Sequence, residues 1–135
     1  MTNKLTMYWM SQSSQTFSYA VNKVKHGDTP TFSPAQLSAA KPVTVTAEQS
    51  SNVTPGPEGT YTWNSVDLSV NVACDYTFPA GSSGQLIQVT LKPSKGLQIS
   101  FDGTNWTSNN LENSWTSTST MFKVNCFVRD QSAKG

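Results

Sequence analysis

Val66-Asp67-Leu68-Ser69-Val70-Asn71-Val72-Ala73-Cys74 is the stretch on which the reading of this chain turns. Val66, Leu68, Val70, Val72 and Cys74 share one phase of a two-residue period, and Asp67, Ser69, Asn71 and Ala73 share the other. That alternation is the mark of a strand with one buried face. Upstream, residues 60–63 read as a second strand, and only Asn64 and Ser65 separate it from the first. Asn tolerates positive φ, so the two strands are expected to form a hairpin turning at Asn64-Ser65.

The same period runs outward through the rest of the chain. Residues 121–129 place Phe122, Val124, Cys126 and Val128 on one side and Lys123, Asn125 and Arg129 on the other. Shorter strands are expected at 5–10, 17–24, 43–47, 86–91 and 97–101. Turn residues divide them: Asp102-Gly103 follows Phe101, while 54–59 and 79–84 are rich in Pro, Gly and Ser and read as loops. Residues 33–40 have the one helical signal, with Ser33 as cap and Pro34 at the first helical position, and Pro42 limits it to a turn or two. The sum is about eight closely spaced strands in one domain spanning 1–135, as an antiparallel sandwich or closed barrel requires.

Composition narrows the function. Charged residues are 13% of the 135, nine basic against eight acidic, so no basic stripe is available to neutralise phosphates, and nucleic acid is not an expected partner. Ser, Thr, Asn and Gln supply the polarity, which suits exposed strand faces and turns. The first ten residues hold one lysine and a short mixed run with Tyr8 and Trp9, without the apolar core of a secretion signal. Synthesis in the cytoplasm and later release by another route are therefore expected, with the two cysteines reduced.

Catalytic chemistry has little to work with. The single histidine, His26, lies in Lys25-His26-Gly27-Asp28, which reads as an exposed turn, and no Gly-x-Ser-x-Gly elbow occurs. One histidine and two distant cysteines do not compose a zinc site. No catalytic residue, metal or cofactor is expected. Cys74 and Cys126 fall on the apolar phases of the two clearest strands and are expected in the core as small hydrophobes, a cross-strand disulfide being the alternative.

The aromatic residues are more informative. Trp63 sits in the hairpin and is expected to pack. Trp106 and Trp115 lie in the Asn/Ser/Thr-rich segment 104–120, and Tyr76 and Phe78 lie just past the expected end of the central strand. An indole has an apolar body and one N–H donor, which suits a membrane interface or a sugar face. For Tyr76, Phe78, Trp106 and Trp115, packing and contact with a lipid or glycan both stay open on the pattern alone.

Gly56-Pro57-Glu58-Gly59-Thr60-Tyr61, the alternating strand 66–74, Asp75-Tyr76-Thr77-Phe78-Pro79 and Ala80-Gly81-Ser82 together resemble the aegerolysin and actinoporin-like group. The order of Gly-rich turn, hairpin, aromatic passage and Gly-Ser turn is similar to that of the small aegerolysin-like component of bacterial binary insecticidal toxins. The resemblance covers 53–84. The Cys-Pro-Trp-Gly passage of fungal aegerolysins is replaced here by Cys74 and the five residues after it, so their lipid specificity does not carry over. The resemblance implies a β-sandwich that docks on membrane lipid or a glycan receptor outside the producing cell through Tyr76, Phe78, Trp106 and Trp115. It also implies recruitment of a larger pore-forming partner, with self-association allowed. Two other readings fit the same residues: a lectin on this architecture, and a structural β-sandwich of a phage or virion.

Overall fold

The computed structural model describes residues 4–48, 57–78, 87–108, 110–117 and 123–131. Among them are β1 (Lys4–Ser11), β2 (Phe17–His26), β3 (Thr31–Ser33), β4 (Gln36–Leu37), β5 (Val43–Glu48), β6 (Glu58–Ser65), β7 (Asn71–Thr77), β8 (Ile87–Pro93), β9 (Leu97–Ser100), β10 (Thr107–Ser108), β11 (Asn113–Ser117) and β12 (Lys123–Asp130). They form two sheets of six strands, ordered β10-β9-β12-β1-β5-β3 and β11-β8-β7-β6-β2-β4. Pairing is antiparallel except between β1 and β12, which run parallel with Trp9 opposite Cys126. The expected antiparallel β-sandwich is the fold observed, with that one parallel seam.

Alternation explains which side chains meet between the sheets. β1 turns Leu5, Met7 and Trp9 inward, β5 turns in Val43, Val45 and Ala47, and β6 turns in Tyr61 and Trp63. The largest of these meet edge to face, Trp9 with Trp63 at 6.1 Å and 71° between ring centroids and planes, the geometry that ring quadrupoles favour. The Trp9 indole donates to Tyr61 Oη at 2.8 Å, and that hydroxyl donates onward to Met7 Sδ at 3.2 Å. Two buried polar groups are thereby satisfied inside an apolar layer. Cys74 and Cys126 lie fully buried as free thiols, as expected of small hydrophobes. Burial pushes the Cys74 thiol up to about 12, against a hydrogen bond with Tyr61 that lowers it.

Four local expectations need correcting. The strand over 66–74 is a turn followed by a strand: β6 runs through Asn64 and Ser65, residues 66–70 make the turn, and β7 starts at Asn71. The cause is Asp67, whose Oδ1 accepts from Ser65 Oγ at 2.7 Å, Ser69 N at 3.0 Å and Ser69 Oγ at 2.6 Å. Side-chain bonds of this kind compete with the strand ladder. Residues 33–40 hold no helix, because Leu37 is drawn into the core by the pairing of β4 with β2, with Phe17 opposite Leu37. Ala35, Ala39 and Ala40 are exposed and offer no second apolar row to hold a helix down. His26 closes β2 opposite Glu58 and is half-buried, where an exposed turn was expected. The expected loop at 54–59 is also too long, because Glu58 and Gly59 already pair in β6; its residues 54–56, the expected loop at 79–84, with Gly56, Pro79, Ala80, Gly81 and Ser82 of the resemblance, and Leu86, Met121 and Phe122 at strand ends, lie outside the described residues.

Candidate functional site

β7 extends through Thr77, and this settles two of the four expected contact residues. Its inward phase of Val72, Cys74 and Tyr76 continues to Phe78, leaving Tyr76 only 1% and Phe78 6% exposed. Both rings are therefore part of the interior and are withdrawn as contacts for an outside ligand. Tyr76 lies against Gly59, directly opposite it in the ladder, where a Cβ would stand 2.7 Å from the Tyr76 hydroxyl and also collide with the Lys23 carbonyl. Only glycine leaves room for the ring. That hydroxyl has no hydrogen-bond partner among the described residues, and burial pushes it up to about 12.

The two tryptophans sit on opposite sheets. Trp106 precedes β10 and lies half-buried beneath Arg129, whose guanidinium carbon is 4.0 Å from the ring centroid. Arg129 is held there by an Nε bond to Gln98 Oε1 at 2.7 Å, so one face of the indole is engaged in a cation–π contact. Trp115 is in β11, opposite Val89 of β8, half-buried and packed against the core. The four aromatic residues do not form one surface: two are inside and the others stand at different sheet edges.

Among the described residues, Tyr19 on β2 is 42% exposed and stacks on Phe32 with ring centroids 3.8 Å apart, and the large apolar side chains shown most fully to water are aliphatic. Val66 is 68% exposed, Leu68 77% and Leu111 64%. All three are at one end of the sandwich. The β6–β7 tip is tied to the β8–β9 turn by Asn71 N to Ser94 Oγ at 2.9 Å and Ser94 N to Asn71 O at 2.8 Å. Leu111 enters the same end, because β11 begins with Asn113 opposite Leu91, near the end of β8. The tip is rigid in its backbone: Ser65 N donates to Val70 O at 3.0 Å, Leu68 N to Ser65 O at 2.9 Å, and Asp67 holds both flanking serines. Those hydrogen bonds from Ser69 and Ser65 lower Asp67 to about 2. Leu68 takes φ +62, a left-handed conformation that Gly and Asn adopt more readily than leucine. Sequence reasoning missed this tip because Val66 and Leu68 are in phase with Val70 and Val72; the Ser65-x-Asp67-x-Ser69 spacing was the available signal.

A second feature lies on the outer face of the β6-containing sheet, towards the opposite end of the hairpin. It is an open groove of about 420 Å³ between β2, β6, β7 and β8. Thr60, Asp75 and Thr90 form one row across it, and Glu58, Thr77 and Gln88 form the next. Lys23 and Lys25 stand at its β2 side, with Lys25 Nζ 3.7 Å from Glu58 Oε2. Partial burial and the nearby charge of Glu112 raise the Asp75 carboxyl.

These features define a two-layer β-sandwich with one aliphatic end and one polar groove. Among solved structures, the one described as RahU protein in complex with a TRIS molecule superposes with a TM-score of 0.62, covering 96% of each chain at 14% identity. Likeness at that identity establishes the fold and nothing further. No family model matches the chain, and no curated protein matches it.

Proposed function

We propose that this protein is a non-enzymatic membrane-docking module that enters the lipid interface with the end carrying Val66, Leu68 and Leu111. The observation that carries the reading is the β6–β7 tip, where an Asp67-stapled turn holds two aliphatic side chains in water, one of them at a left-handed position. Scattered exposed leucines need no explanation, but folding does not call for leucine at φ +62, and three such side chains stand at one end where an apolar phase can meet them.

Magnitudes define what this contact can do. Complete transfer of a Val or Leu side chain from water is worth roughly 1.5–3 kcal/mol. Three of them amount to at most about 9 kcal/mol, and an association cost of about 4 kcal/mol or more leaves one copy binding no tighter than about 0.2 mM. The net charge of +1 adds little attraction to anionic lipid. Stable residence therefore needs a second signal, either head-group or receptor recognition, self-association, or a larger partner already on the membrane. The last of these joins the tip to the resemblance in 53–84, which supplies the second half of the proposal: a docked module, released from its producing cell, that recruits a pore-forming protein. The docking residues are aliphatic in place of the aromatic set read from the sequence.

The test is co-sedimentation of wild type and Val66→Ser/Leu68→Asn with vesicles of phosphatidylcholine and of total membrane lipid. The variant is expected to have a Tm no lower than that of wild type and to lose about tenfold or more in vesicle affinity. Equal sedimentation of the two proteins, or no sedimentation of wild type with either vesicle, would overturn the proposal.

A further inference from the structure

The outer groove is separate from the aliphatic end and has chemistry of a different kind. We infer that it is a glycan site, which takes a neutral sugar through the sugar's hydroxyl groups. Its volume of about 420 Å³ is within the usual range for small-molecule sites, roughly 300–1,000 Å³. Its floor is the backbone at Gly59 and Tyr76, and the walls are polar: Thr60, Asp75 and Thr90 in one row, Thr77 and Gln88 in the next, Lys23 at the side.

A sugar hydroxyl both donates and accepts, so neighbouring hydroxyls need carboxylate or carbonyl oxygens interleaved with N–H or O–H donors. Asp75 offers the acceptor in the centre, Lys23 offers the donor at the rim, and the threonines and Gln88 can serve in either sense. Thr90 Oγ1 is already fixed by Ser114 Oγ at 2.7 Å, which orients part of the wall before a ligand arrives. Charge selects against an anionic ligand. The Lys25–Glu58 pair cancels internally, Lys23 and Asp75 leave no net charge among the lining residues, and the nearby Glu112 charge adds to that of Asp75, so a phosphate is not favoured over a neutral molecule. With the Tyr76 ring turned inward, no aromatic platform among the described residues adds stacking, and affinity for a single sugar is expected to be in about the millimolar range.

The experiment is a two-dimensional amide NMR titration with methyl glycosides of glucose, galactose, mannose and N-acetylglucosamine, and with sialic acid as the anionic comparator, each to about 50 mM. At least one neutral glycoside is expected to shift amides within 58–60, 75–77 and 88–90. Asp75→Asn and Thr77→Val, both at solvent-facing positions, are each expected to weaken that glycoside about tenfold with unchanged Tm. Val66→Ser/Leu68→Asn is expected to titrate as wild type, which separates this site from the docking end. Shifts with sialic acid only, shifts confined to other residues, no shift at all, or wild-type affinity in both groove variants would overturn the inference.

Discussion

Two turns in this sandwich are built with one device and end differently. In the β6–β7 tip, Ser65 Oγ donates to Asp67 Oδ1 at 2.7 Å; after β9, Ser100 Oγ donates to Asp102 Oδ1 at 2.9 Å. Each carboxylate then collects further donors from residues that follow it, Ser69 in one case, Thr104 and Asn105 in the other. Between the serine and the aspartate stands an apolar residue. Phe101 packs against the core, and the turn beyond it brings Gly103 over the Phe127 ring, whereas Val66 and Leu68 point into water. The Ser-x-Asp device thus fixes the backbone without deciding the fate of the side chain. Phe101 is where structure uses the device, and Val66 with Leu68 is where we propose that function does.

Truncation is the strongest way to break this comparison. Phe101→Ala is expected to cost about 2–3 kcal/mol of unfolding free energy, less than the 3–5 of a fully buried phenylalanine because the ring is only partly covered. Val66→Ala should stay within about 0.5 kcal/mol of wild type. Denaturant unfolding of both variants checks the contrast, and equal losses would mean that the tip is structural after all.

A smaller effect of opposite sign is expected at Leu68. Because its φ of +62 disfavours a branched side chain, Leu68→Asn should stabilise the protein by up to about 1 kcal/mol. Thermal unfolding measures it, and a lowered Tm would show that the leucine contributes to the fold.

Acid gives the smallest difference. The Asp67 carboxyl is held at about 2, below its ordinary 3.8, by the Ser69 and Ser65 hydrogen bonds, so the unfolded chain takes up the proton first. Its stabilising contribution is complete above the unfolded value and is lost as pH falls from about 4 towards 2. Asp67→Asn should therefore show a smaller drop in Tm than wild type between pH 5 and about pH 2. Parallel Tm curves would remove Asp67 from the account of the turn.

The sandwich was legible because inward and outward residues alternate along all of β5 and β6 and most of β12. The strands of two or three residues, β3, β4 and β10, are too short to show any period. The parallel seam of β1 with β12 joins segments more than a hundred positions apart, which no local pattern reports. β11 was hidden for another reason: Asn113 and Ser117 flank Trp115 on its half-buried phase, so its alternation is almost wholly polar. At the site, period alone misled in both directions. Val66 and Leu68 kept the phase of a buried face in a turn set by side-chain hydrogen bonds, and Tyr76 and Phe78 kept it in and just after a strand that ends three residues later than expected. Phase says which residues share a side; only pairing partners decide whether that side is covered. The groove was invisible in the sequence because its residues come from four strands and meet only through register.

The docking end can be observed directly with a fluorophore sensitive to polarity, attached at Leu68→Cys. The native Cys74 and Cys126 thiols are buried, with burial raising both, so labelling falls on the introduced site. On addition of total-lipid vesicles, emission is predicted to shift to the blue and to be quenched by nitroxides placed in the acyl-chain region. Emission that stays at its aqueous wavelength while the protein sediments with the vesicles would contradict the account.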